Sequence, residues 1–235
     1  MSVRPDGIHQ RGRAAVLAGR ELLDVPPGPG STRWGLSLDV RLDPAAEQHL
    51  DSLATEAAGL AGPGQWLTGG RGSSHLTVTY LERAWREVDA GDQDVRTYAA
   101  LAAALAAGTP PLRWTIIGLA LADRGVLAMA EPVDAAPGAF RAAVLERLGG
   151  LGAEEAGYRG STWWATLVHF AAPLADRAGL VEWVDARLSL PPVLVTAERV
   201  EVVRYAYDGA RTAPVALFTA ELPGVREGAT GGTHA

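Results

Sequence analysis

Ser74-His75-Leu76-Thr77-Val78-Thr79-Tyr80-Leu81 is the stretch on which the fold turns. Apolar and polar side chains alternate along it, the period-2 signature of a strand with one buried face. In a regular strand His75, Thr77 and Thr79 share one face, while Leu76, Val78 and Tyr80 anchor the other. An imidazole that titrates near neutral pH then stands beside two hydroxyl donors, a row suited to a phosphoryl or carboxylate group. On spacing alone the same pattern also describes a solvated polar strand face.

Working outward, a second alternating strand is predicted over 34–40, and Asp43-Pro44 opens a helix with an N-cap and a proline at the first helical position. Its apolar face runs through Leu50, Leu53, Ala57 and Leu60 to Gly62-Pro63-Gly64. The loop Gly69-Gly70-Arg71-Gly72 leads into the histidine strand; it lacks the Lys-Ser/Thr ending of a P-loop and precedes a strand rather than a helix. Beyond it, the sequence predicts a helix over 96–107, a hairpin of 113–121 with 126–131 around Asp123-Arg124-Gly125, and a helix over 137–148. A strand over 162–170, a helix over 174–188 and strands over 199–207 and 214–222 follow. Mixed strands and single helices indicate an α+β fold with helices outside the sheets. The echo of strand, helix, strand in each half suggests a pseudo-two-fold arrangement around one cleft. The expected organisation is an N-terminal segment and linker over 1–30, a single bilobal domain over 31–222 and a disordered tail over 223–235.

Composition narrows the chemistry. The 235 residues contain no cysteine, which excludes disulfides, thiolate metal sites and cysteine nucleophiles. All 21 basic residues are arginine, so no lysine can form a Schiff base. The formal charge of -6 argues against wrapping a long nucleic acid, and no apolar run approaches the roughly 18 residues a membrane span needs. The apolar patch 14–19 between Arg13 and Arg20 is too short for a signal segment, so a cytoplasmic protein is expected. His9, His49 and His234 lack metal-ligand spacing, no Gly-x-Ser-x-Gly elbow is present, and neither a metal nor another cofactor is expected.

His75-Leu76-Thr77-Val78, with its preceding strand, Asp43-Pro44 helix and glycine-containing loop, resembles the first motif of the two-histidine phosphoesterase superfamily, the 2′-5′ RNA ligase-like and cyclic phosphodiesterase proteins. The resemblance spans about residues 33–222. It implies two pseudo-symmetric lobes of mixed or antiparallel sheet with outer helices around a central cleft. Two His-x-Thr motifs would face each other there, the histidines as general base and acid and the hydroxyls holding phosphate. The second motif departs from this pattern. Trp164-Ala165-Thr166-Leu167 keeps the threonine and replaces the histidine by tryptophan. His169 lies three residues beyond Thr166, on the opposite face of a regular strand, and only a bulge or shifted register would bring it round.

The resemblance therefore implies His75, Thr77 and Thr166 as catalytic residues, while the residues themselves suggest as ligand contacts Thr79 on the histidine face, Trp34 and Trp164 as stacking surfaces, and Tyr158 and Arg159 at the cleft rim. The expected partner is a small molecule or nucleotide. Three functions stay open: a phosphodiesterase acting on a small cyclic or 2′-5′-linked nucleotide, an enzyme of altered chemistry (elimination, cyclisation or isomerisation) with His75 as sole acid or base, and a noncatalytic nucleotide or small-ligand binder.

Overall fold

In the computed structural model, which describes residues 5–68, 72–149 and 162–223, nine strands form two antiparallel sheets flanked by five helices among the described residues. The first sheet has the order β3-β1-β8-β9, built from β1 (Ser37–Arg41), β3 (His75–Tyr80), β8 (Arg199–Tyr207) and β9 (Thr212–Glu221). The second has the order β2-β6-β5-β4-β7, built from β2 (Trp66–Leu67), β4 (Leu112–Ala122), β5 (Gly125–Pro132), β6 (Trp163–His169) and β7 (Val193–Ala197). One buried core, which includes Leu38, Val40, Leu76, Val78, Trp114, Trp163 and Leu167, runs through both lobes. None of the described helices is long and apolar enough to cross a membrane.

The lobes exchange pieces, so they are not the two halves of the sequence. After α3 (Gln93–Ala106) the chain builds the second lobe, including α4 (Ala136–Leu148) and α5 (Arg177–Asp185), and then returns to the first sheet through β8 and β9. Conversely, α2 (Pro44–Ala61) leaves the first sheet and packs against β6, β7 and α5 of the second lobe. Asp43 fixes that crossing. One carboxylate oxygen caps α2 by accepting from the Ala45 and Ala46 amides at 3.1 and 3.0 Å, while the other accepts from Thr196 N on β7 at 3.0 Å.

The stretch 1–30, expected as an N-terminal segment and linker, contains a helix. α1 (Pro5–Leu17) packs on β4 and α5, so closely that a Cβ on Gly12 would lie 2.3 Å from the Leu121 carbonyl oxygen. The chain then runs along the end of β6, where Leu22 N donates to Asp123 O at 2.8 Å and Asp24 N to Phe170 O at 2.7 Å. Residues 224–235, expected as a tail, lie outside the described residues.

Candidate active site

Each motif strand carries one residue more than its neighbour. On β3, Leu38 of β1 pairs with Thr79 but Asp39 pairs with Thr77, leaving Val78 as the extra residue of a β-bulge. On β6, Val126 of β5 pairs with Val168 but Leu127 pairs with Thr166, leaving Leu167 as the extra residue. Both bulges therefore follow the motif threonine directly.

A bulge reverses the side-chain alternation beyond it, and this rearranges the expected row. After Val78 the phase inverts: Thr79 is buried away from the cleft and its hydroxyl donates to Tyr80 O at 3.3 Å, while Tyr80 takes the cleft-facing place. Thr79 is thus not the ligand contact that strict alternation predicts. After Leu167 the inversion brings His169 to the face of Trp164 and Thr166. The reading that set His169 on the opposite face is corrected by that single residue.

His75, Thr77, Trp34, Trp164 and Thr166 line one cavity of about 450 Å³ together with His169, Tyr80, Tyr205, Thr68, Arg33, Arg83 and Arg124. Tyr158 and Arg159 lie outside the described residues. Trp164 packs against the small cluster of Ala120, Leu127 and Met129, as does Ile8 of α1, so the residue at the missing histidine's position contributes to an apolar wall. Gly125, opposite His169 across the sheet, has no room for a side chain, because a Cβ would meet Val168 O at 2.2 Å.

The two imidazoles are held in the same sense. His75 Nδ1 lies 2.7 Å from the Ser73 carbonyl, which can only accept, so the proton sits on Nδ1 and leaves Nε2 for other partners. His169 Nδ1 donates to Asp24 Oδ2 at 2.8 Å, again leaving Nε2. Between the rings stand Tyr205, 5.7 Å from His75 between centroids, and Trp34, 5.5 Å from Tyr205 and 5.0 Å from His169.

Trp34 alone among the described non-glycine residues has a positive φ, 67°, a conformation that costs about 1–2 kcal/mol. It is retained there by its indole N–H, which donates to Val25 O at 2.8 Å, and by the rings on either side. Tyr205 donates to Asp39 Oδ2 at 3.0 Å and has Ser37 Oγ at 2.9 Å and His75 Nε2 at 3.4 Å. Burial, reinforced by the Asp39 charge, pushes its phenol well above the usual 10, so it remains a donor. When Nε2 of His75 carries a proton, it can donate a hydrogen bond to the Tyr205 oxygen.

Asp24 is 1% exposed and is shared by His169, Arg33 and Arg124, whose Nη1 lies 3.3 Å away. Burial alone would raise this carboxyl, but the His169 hydrogen bond and the surrounding positive charges hold it below its usual 3.8. Burial drives the His169 imidazole below its usual 6.5, a shift that Asp24 partly offsets and the positive charge of Arg33 reinforces. Both depressed groups add stability that is present above their unfolded values and is lost as pH falls through the folded ones. Urea unfolding is expected to show stability declining as pH drops below 6.5, with a shallower decline in H169Q. An unchanged slope in that variant would show that His169 does not titrate as its surroundings require.

Asp24, Asp39 and Tyr205 escape sequence reasoning because each is far along the chain from the histidine it serves. No group of three His, Asp or Glu residues able to hold a metal occurs among the described residues.

No protein-family profile and no characterised protein sequence matches the chain. Solved structures do. TT0787 of Thermus thermophilus aligns with a TM-score of 0.56 at 21% identity, over 81% of this chain and 98% of that one. E. coli LigT, complexed with 3′-AMP, aligns with a TM-score of 0.55 at 12% identity, over 80% of this chain and 98% of its own. A structure described as a phosphoesterase aligns with a TM-score of 0.51 at 13% identity, over 81% of this chain and 98% of that one. With two antiparallel sheets, outer helices and both motif strands on one cleft, the chain shares the LigT-like fold of these structures.

Proposed function

We propose that this chain is a metal-independent phosphodiesterase acting on a small 2′,3′-cyclic or 2′-5′-linked nucleotide or a related phosphodiester, with His75 and His169 as its two proton carriers. The observation that carries the reading is the bulge at Leu167, which restores a second imidazole to a cleft whose motif position holds Trp164. Burial keeps His169 neutral near neutral pH, so its Nε2 takes the proton of the attacking water. The water oxygen bonds to phosphorus, and the bond from phosphorus to one ribose oxygen breaks. His75, entering the step protonated on both ring nitrogens, delivers its Nε2 proton to that leaving oxygen and keeps Nδ1–H on the Ser73 carbonyl, and Tyr205 and Asp39 hold its ring region in place. Thr77 and Thr166 are donors for the nonbridging phosphate oxygens, and Arg83 adds positive charge at the wall.

The structural likeness to a LigT structure solved with 3′-AMP supports a nucleotide ligand. Trp34, Trp164 and Tyr80 offer flat surfaces for a base.

The test is hydrolysis of 2′,3′-cyclic nucleotides and short 2′-5′ oligonucleotides, followed by product chromatography with chelator present. Turnover that survives the chelator and falls by about 10²–10⁴-fold in H75A, with ligand affinity largely kept, is expected. A requirement for added divalent metal, or ligand binding without any turnover, would overturn the reading.

A further inference from the structure

We infer that Arg141, outside the cavity on α4, is a positioning residue that holds the β3 bulge and so decides which side chains of the histidine strand face the ligand. The inference rests on the proposed phosphodiesterase only for its kinetic consequence. Arg141 is 7% exposed, and its Nε donates to Val78 O at 2.9 Å while its Nη2 donates to Thr77 O at 3.0 Å. Consecutive carbonyls of a regular strand point to opposite sides, so one guanidinium reaches both only where the strand is bulged. The two acceptors belong to the extra residue and to the motif threonine before it.

The planar face of the same guanidinium lies 3.3 Å from the Trp163 ring centroid on β6, beside Trp164. Arg141 thereby joins the bulged strand of one lobe to the motif strand of the other, and no lysine could supply both the fork and the flat face. If the bulge relaxed, alternation would return Thr79 to the cleft and withdraw Tyr80, and without Arg141 the Val78 and Thr77 carbonyls lose its two donors.

The test compares wild type, R141K and R141A by amide hydrogen exchange over 75–80, by thermal unfolding, and by kcat and KM on a 2′,3′-cyclic nucleotide. In R141K we expect a folded protein whose exchange is faster on β3, with kcat lower by about tenfold or more and KM raised by a smaller factor, because the reacting geometry is displaced and Tyr80 leaves the cleft. Added guanidinium ion is expected to restore part of the rate to R141A, which a loss of packing alone would not allow. Unchanged β3 exchange in R141K overturns the inference whether or not the protein turns over a phosphodiester. A wild type that hydrolyses none refutes the proposed function while leaving the exchange result to decide this point. If R141A does not fold, R141K decides alone.

Discussion

Alanine at position 169 is expected to lower kcat on a 2′,3′-cyclic nucleotide by about 10²–10⁴-fold, the contribution typical of one general acid or base. H75A is expected to lose a comparable factor. The H75A/H169A double variant loses little more than either single one, because two groups that act on the same displacement fail together. The reason lies in geometry. Both imidazoles commit Nδ1 to a fixed acceptor, the Ser73 carbonyl at 2.7 Å or Asp24 at 2.8 Å, and both line the same cavity. Initial rates at saturating substrate decide the matter. An H169A protein as active as wild type would mean that the second proton moves by another route.

The second large effect falls on stability. Asp24 lies almost wholly out of solvent and satisfies His169, Arg33 and Arg124 at once. D24A leaves a buried imidazole without its acceptor and two guanidinium groups without their anion. The expected cost is about 3 kcal/mol, the lower end for breaking a buried pair, since both arginines are over a third exposed and can turn to water. D24N keeps an acceptor for Nδ1–H and is expected to unfold much closer to wild type. Because Asp24 opposes the burial that depresses His169, D24N is also expected to move the acid limb of activity to lower pH. Denaturant unfolding and a pH–rate profile measure the two effects. A D24A variant as stable as wild type would remove Asp24 from the account.

Much of this architecture is legible in residue patterns. Alternation predicts the strands containing His75 and Trp164, Asp43-Pro44 predicts α2, and Asp123-Arg124-Gly125 predicts the β4–β5 turn. Strict alternation fails where one residue is added to a strand, and it does so at both motifs. It faces Thr79 inward in place of Tyr80 and turns His169 away. No residue type marks either bulge, because Val78 and Leu167 are ordinary strand residues. The edge strand β7 is hidden for a related reason, since it follows two prolines and its pairing with β4 is visible only in three dimensions. Asp24 lies in a segment whose Pro and Gly content reads as a linker, yet a few backbone hydrogen bonds dock it against β6.

The wide sequence separations within the site bear on when the protein becomes competent. Asp24 is 145 residues from His169, and Tyr205 is 166 from Asp39 and 130 from His75. On a chain emerging from the ribosome, Asp24 appears long before His169 and Arg124, and Asp39 long before Tyr205, the side chains that donate to them. The histidine strand can pair with β1 early, since both belong to the first third of the sequence. The hydroxyl beside Nε2 arrives only when β8 returns to close the first sheet. Loop-closure entropy delays such nonlocal contacts, so this arrangement is among the last parts of the molecule to form. Partly synthesised or misassembled chains therefore carry His75 without the Tyr205 hydroxyl beside its Nε2.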